Sequence, residues 1–227
     1  MDSVTFVIPC YNDEATVTLV IKKSLAVAKK LHIQPTILVI NDASTDQSGR
    51  VLSAFAKKYH NIRVITHTNN AGYGATIKEL YLAARTEWIF SVPGDYQIDP
   101  TELTKLWKER NTADMIIGWR KNRNDNAARQ RQSNMYNILI RLLFWARIHD
   151  VNSVRLMKSS MFKKISLSST SAFVDAELCI QSKRAGFRIQ EVPIVHRARA
   201  GAGASGGKLS TIIPTIRDMI LFWTHTI

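Results

Sequence analysis

Asp95 and Gln97 stand two residues apart in Pro93-Gly94-Asp95-Tyr96-Gln97. Along an extended chain they leave on the same side. A carboxylate and an amide oxygen so placed suit a hard divalent ion, Mg2+ or Mn2+, completed by water and substrate phosphates. A plain turn into a helix accounts for Asp99 as a cap and Pro100 at the first helical position. It leaves Asp95 and Gln97 unexplained. Three other stretches carry comparable polar sets: Pro9-Cys10-Tyr11-Asn12-Asp13-Glu14, Asn41-Asp42-Ala43-Ser44-Thr45-Asp46 and Asn69-Asn70-Ala71-Gly72-Tyr73-Gly74. Ser44 and Thr45 before Asp46 also fit a helix cap.

Cations gather later. Between residues 118 and 147 stand Arg120, Lys121, Arg123, Arg129, Arg131, Arg141 and Arg147, with Asp125 the only acid. Such a run is a solvated face or an anion-docking surface. It leads into Tyr136–Trp145, apolar nearly all round and flanked by Arg. That segment is a buried helix or one lying in a lipid interface, with Phe144 and Trp145 dipping into it. Asp175 and Glu177 open a further helical stretch, where Asp175 fits a cap and Glu177 an ion pair with Lys183 or Arg184.

The elements that position these groups alternate in period. Val4–Ile8, Thr36–Ile40, Ile62–Thr66 and Trp88–Val92 are short apolar strands. Between them lie helical patterns at 17–31, 46–58 and 75–84. This rhythm predicts an α/β fold with a mostly parallel sheet covered on both faces. Ligands bind such sheets at the carboxyl ends of the strands, and all four polar loops fall there. Gly72-Tyr73-Gly74 lacks the third glycine of a dinucleotide turn, Ile77 standing in its place, and predicts a tight turn bringing a helix close to the sheet. At the far end Leu209, Ile212, Ile213, Ile216, Met219, Ile220 and Trp223 form one helical stripe, facing core or membrane.

The 227 residues suit one sizeable domain, and 45% hydrophobic content excludes a disordered basic tail. A net charge of +13 implies an anionic partner: nucleic acid, membrane surface or phosphate-bearing substrate. Two cysteines make no disulfide framework and suit a reducing compartment. Met1-Asp2-Ser3-Val4 lacks the look of a secretory signal, and no apolar run is long enough to span a bilayer. These features alone predict a soluble, strongly basic, core-forming protein.

Jointly the loops resemble the family 2 glycosyltransferases of GT-A fold, and most closely their dolichol-phosphate mannosyltransferase-like, polyprenyl-phosphate branch. Pro9-x-Tyr11-Asn12-Asp13 resembles the opening loop, and Asn41-Asp42-Ala43-Ser44-Thr45-Asp46 the Asp-Asp-Gly-Ser-x-Asp loop. Asn70-Ala71-Gly72-Tyr73-Gly74-Ala75 matches the Asn-x-Gly-x-Gly-Ala turn. The resemblance implies transfer of a hexose, with inversion, from a GDP- or UDP-sugar to a polyprenyl phosphate. Joined to the features above, it predicts a cytoplasmic protein peripheral to a membrane. Donor binding then falls to Pro9, Tyr11, Asn12, Asp13, Asp42, Asn70, Gly74 and Asp95, with Arg199 and Lys208 closing from the glycine-rich loop 201–207. Acceptor binding falls to Arg120, Arg129, Asn137, Arg155 and His196. Asp95, Arg120, Arg129, Asp175 and Glu177 become catalytic, and Asp95 with Gln97 hold Mg2+ or Mn2+. Pro93 stands where the family carries its first metal carboxylate, so strict metal dependence does not follow.

The implied layout is one domain over 1–208, with a donor half at 1–100 and an acceptor half at 101–208, followed by an amphipathic helix at 209–227. Two rival readings stand beside it. A hydroxyl acceptor would need Asp175 or Glu177 as base. A basic nucleic-acid-binding domain fits the charge, but the sequence carries no recognisable binding module and no aromatic-studded strand, so nucleic acid is not expected.

Overall fold

The computed structural model describes residues 2–121, 127–146, 148–198 and 209–225, and only the backbone of 127–129. Seven strands form one sheet: β1 (Ser3–Cys10), β2 (Gln34–Asn41), β3 (Ile62–Thr66), β4 (Trp88–Ser91), β5 (Met115–Arg120), β6 (Arg155–Lys158) and β7 (Ile189–Ile194). Their order is β3-β2-β1-β4-β6-β5-β7. The pairs β1·β2, β1·β4, β2·β3 and β5·β7 are parallel, whereas β6 runs antiparallel to both β4 and β5. The expected α/β, mostly parallel sheet is therefore present, with β6 as its one reversed strand among the described residues.

Alternation along β1 divides the interior in two. Val4, Phe6 and Ile8 pack with α1 (Val17–Lys30), α2 (Ser48–Lys58) and α4 (Leu103–Lys108). Val7 faces the other side, where α3 (Gly72–Ala83), α5 (Ala127–Phe144), α6 (Val174–Arg184) and α7 (Leu209–Thr224) close the second core. Both faces are covered because β1 is apolar at nearly every position.

Several boundaries differ from expectation for local reasons. α2 opens at Ser48 rather than Asp46, and its N-cap Gln47 makes no side-chain cap bond. The Ser44 hydroxyl accepts from the Asn12 amide instead, and Asp46 accepts from the Ser48 amide. Pro100 begins a three-residue 3-10 turn capped by Asp99, as expected, before α4. In α7 the predicted stripe splits. Met219 is its buried member, joined by Phe222 from outside the stripe, which packs against Phe144 and Phe173 at centroid distances of 5.7 and 5.5 Å. Leu209, Ile213, Ile216, Ile220 and Trp223 are exposed. Asp218 tethers the helix by accepting from the Thr170 and Ser171 amides. Among the described residues no helix is long and apolar enough to cross a membrane.

The glycine turn serves a close approach, though to a loop rather than to the sheet. A Cβ on Gly74 would run into the Ser171 and Thr170 carbonyls. Gly74→Ala is expected to cost about 1–3 kcal/mol through forced backbone displacement, read as a lowered melting temperature.

Candidate active site

The first two polar loops are knitted together at the carboxyl edge of the sheet. The Asn12 amide oxygen accepts from the Thr45 amide (2.8 Å), and the Asp13 amide donates to the Ser48 hydroxyl (3.0 Å). The Glu14 carboxylate accepts from the Gln47 amide at 2.7 Å. Asn12 and Ala43 hold left-handed φ of 56° each, which sharp turns of this kind require. Asp13, 8% exposed, accepts from the Tyr11 amide and abuts Gly94, where a Cβ would meet its Oδ2.

Asp42 ties this pair to the third loop. Its Oδ1 accepts from the Ala71 amide and its Oδ2 from the Gly72 amide, at the start of α3. Asn70 donates to the Asp42 carbonyl (3.0 Å). The sequence reading missed His67, whose Nδ1 lies 2.7 Å from Asp42 Oδ1 and whose Nε2 lies 3.0 Å from Glu79 Oε2. The bond to Asp42 holds the imidazole pKa above its ordinary value, outweighing partial burial, and Glu79 adds to it. A raised native pKa favours the charged form, so this stabilisation is full below the unfolded value of about 6.5. It is lost as pH rises through the native value. The melting-temperature difference between wild type and His67→Gln should therefore shrink from pH 6 towards pH 9.

In the fourth loop the Asp95 carboxylate accepts from the Gln97 amide (3.0 Å). The Gln97 side chain reaches His196, with the two nitrogens 3.4 Å apart. Turning the amide would present its oxygen to an imidazole N–H instead. The Arg197 amide donates to the Gln97 carbonyl at 2.7 Å, and the Arg197 guanidinium reaches Asp99 at 3.1 Å. The end of β7 is thereby fastened to the Asp95 loop. Among the described residues no three His, Cys, Asp or Glu gather to hold a metal alone. Asp95, Gln97 and His196 all line the same cleft, and their carboxylate, amide oxygen and imidazole are the groups there that could hold a divalent ion completed by diphosphate and water.

The acceptor-side residues are placed less as expected. Arg120 forms a two-pronged pair with Asp150, 2.7 Å on both bonds, and donates to the Asn152 carbonyl while still lining the cleft. Asn137 is buried and accepts from the Val151 amide, pinning the 148–153 turn to α5. Arg155 is 0% exposed. Its guanidinium donates to the Val151, Ser153 and Asp175 carbonyls and pairs with Asp175 Oδ1 at 3.1 Å. Burial alone would lower its pKa, but Asp175 more than offsets this and keeps it charged.

Asp175 also accepts from the Tyr73 hydroxyl (2.7 Å) and the Tyr81 hydroxyl (3.3 Å). Glu177, 0% exposed, accepts from the Ser168 and Ser169 amides, the Ser168 hydroxyl and Gln181, not from Lys183 or Arg184. Asn137, Arg155 and Glu177 thus serve as internal ties, and Asp175 belongs to a buried network. None of these four lines the cleft. Arg199 and Lys208, like Arg123 and Arg147, lie outside the described residues, as does the Arg129 side chain.

One cleft of about 730 Å³ joins what remains. Pro9, Tyr11, Asp13, Asp42, Asp95, Gln97, Arg120 and His196 line its polar end. Ile138, Leu139 and Leu142 of α5 and Ile212, Thr215 and Ile216 of α7 line the rest. On α5, Ile140 and Phe144 face the core while Met135 and Leu142 are 72% and 71% exposed, so this helix is neither wholly buried nor wholly superficial.

The cleft therefore lies over the carboxyl ends of the strands, where open α/β sheets bind their ligands. The chain belongs to the glycosyl transferase family 2, whose family model matches residues 5–170. It is 26% identical over 228 residues to the dodecaprenyl-phosphate galacturonate synthase of Rhizobium johnstonii, covering 95% of this chain and 65% of that protein. It is 29% identical over 139 residues to the undecaprenyl-phosphate 4-deoxy-4-formamido-L-arabinose transferase of Photorhabdus laumondii, covering 60% of this chain and 43% of that one. The chain therefore spans less than two thirds of either relative. In fold it is similar to glucosyl-3-phosphoglycerate synthase of Mycobacterium tuberculosis, whose structure contains Mn2+, UDP and phosphoglyceric acid. The TM-score is 0.71 at 17% identity, over 96% of this chain and 76% of that one. Family membership makes the chain a glycosyltransferase rather than a non-enzymatic binding domain.

Proposed function

We propose that the protein transfers a hexose from a nucleotide-sugar to a polyprenyl phosphate at the cytoplasmic face of a membrane. The observation that carries the reading is the two-character cleft, polar at the strand ends and apolar along α5 and α7. An amphiphilic acceptor, with a phosphate head and an aliphatic tail, matches such a cavity end to end. The names of the two relatives support the same acceptor class.

A second observation favours a phosphate over a hydroxyl acceptor. Asp175 and Glu177 are both taken up by internal bonds. A hydroxyl nucleophile needs a base within reach. A phosphomonoester does not, since its second pKa of about 6 leaves it largely dianionic at neutral pH.

In this reading Tyr11, Asp13 and Asp42 surround the nucleotide, and Asp95, Gln97 and His196 would hold Mn2+ or Mg2+. The ion would neutralise charge developing on the leaving diphosphate. Arg120, held flat by Asp150, presents its cleft-facing edge to the acceptor phosphate. An acceptor oxygen then displaces the nucleoside diphosphate at the anomeric carbon with inversion, and the exposed apolar side chains of α5 and α7 rest against lipid. The test is sugar transfer to undecaprenyl phosphate in mixed micelles, from radiolabelled UDP- and GDP-hexoses, followed by organic extraction. Labelled lipid is the expected product; label transferred only to soluble hydroxyl compounds would overturn the proposal.

A further inference from the structure

Among the described residues, three hydroxyls on the cleft wall find no hydrogen-bond partner: Thr76 Oγ1 on α3, Tyr136 Oη on α5 and Ser153 Oγ just before β6. Thr76 and Ser153 are 1% and 6% exposed, and the Tyr136 oxygen is closed off from solvent as well. A buried hydroxyl without a partner destabilises the chain that carries it, and native proteins keep few of them. A helical threonine ordinarily bonds a carbonyl one turn back, and Thr76 does not. All three border the same cleft, although they come from three separate elements.

They also gather about one network. Ser153 supplies the carbonyl that Arg155 grips, and Tyr73, one turn from Thr76 on the same face of α3, donates to Asp175. Burial, followed by the charge of Asp175, pushes the Tyr136 pKa up, so its hydroxyl keeps its proton and can donate. The wall between the polar loops and the apolar helices thus carries neutral groups able to both donate and accept. Such groups match the hydroxyls of a sugar ring. An anion, which only accepts, would use half of their capacity.

We infer that Thr76, Tyr136 and Ser153 form the subsite that recognises hydroxyls of the transferred sugar, and so help to set donor specificity. The inference rests on the donor reading above. With no sugar bound the three groups find no partner among the described residues, and a bound pyranose would satisfy them. This juxtaposition predicts opposite signs for stability and binding when the hydroxyls are removed without changing shape.

The test uses the full chain and the variants Thr76→Val, Tyr136→Phe and Ser153→Ala. Titration calorimetry with Mn2+ present compares UDP with UDP-glucose and GDP with GDP-mannose, and a thermal melt is recorded without ligand. Each variant is expected to bind the nucleoside diphosphate as wild type does and to lose about 3- to 10-fold in affinity for the sugar-bearing partner. Its ligand-free melting temperature should be equal or higher. A sugar-to-diphosphate affinity ratio unchanged in all three variants would overturn the subsite, as would a fall in stability with both affinities falling together. So would a selective rise in KM for undecaprenyl phosphate, which would assign the hydroxyls to the acceptor. Wild type binding none of the four nucleotides would overturn the donor reading itself, a result distinct from an unchanged ratio.

Discussion

Asp95→Asn is expected to lower the transfer rate by about 10²–10³-fold, the loss that follows removal of one preorganised electrostatic contact in a shielded site. The substitution is chosen for what it spares. Asn keeps an oxygen able to accept from the Gln97 backbone amide, the bond that shapes the loop, so stability should change by less than about 0.5 kcal/mol. What it removes is the negative charge that, on the proposed function, would anchor a divalent ion and the departing diphosphate at the β4 edge. kcat at saturating Mn2+ and a parallel thermal melt separate the two effects, and full activity in the variant would remove Asp95 from the mechanism. A companion variant sharpens the point. Pro93 has no amide hydrogen to lose, and Pro93→Asp places a second carboxylate two residues before Asp95. It is expected to lower the Mn2+ concentration for half-maximal rate, the direction that a weakened site predicts.

The donor loops were legible because each follows a strand whose apolar run stops abruptly. Val4–Ile8 ending at Pro9, and Trp88–Val92 ending at Pro93-Gly94, place their polar residues at one edge by topology alone. What joins those loops was not legible. The bonds from Asn12 to Thr45 and from Asp13 to Ser48 span more than thirty residues, and no periodicity encodes them. His67 was missed for the same reason, as its partners Asp42 and Glu79 sit on different elements. The helix faces were half legible. α7 is apolar on two sides, so the spacing of Ile213, Ile216 and Ile220 marks a stripe as well as Met219 and Phe222 do, and only packing chooses.

Arg155 departs furthest from expectation, because the family resemblance implies an acceptor-phosphate ligand where the structure has a fully buried side chain. Its counterion lies twenty residues on, at the start of α6, and β6 buries the pair completely. Removing one member of a buried ion pair costs about 3–5 kcal/mol, chiefly because the other charge is stranded. The two members are not equivalent. Arg155→Met leaves Asp175 with the Tyr73 and Tyr81 hydroxyls, and a carboxyl can also neutralise itself by taking a proton. Asp175→Ala strands a guanidinium that cannot shed its charge, so it is expected to be the more damaging change.

The double variant Arg155→Met/Asp175→Leu should recover much of the loss, giving a coupling of about 1–3 kcal/mol in a double-mutant cycle of denaturant melts. If Asp175 were instead the base for a hydroxyl acceptor, Asp175→Asn would abolish turnover at nearly unchanged stability. The buried network predicts the reverse: lowered stability, with turnover per folded molecule retained on a phosphate acceptor.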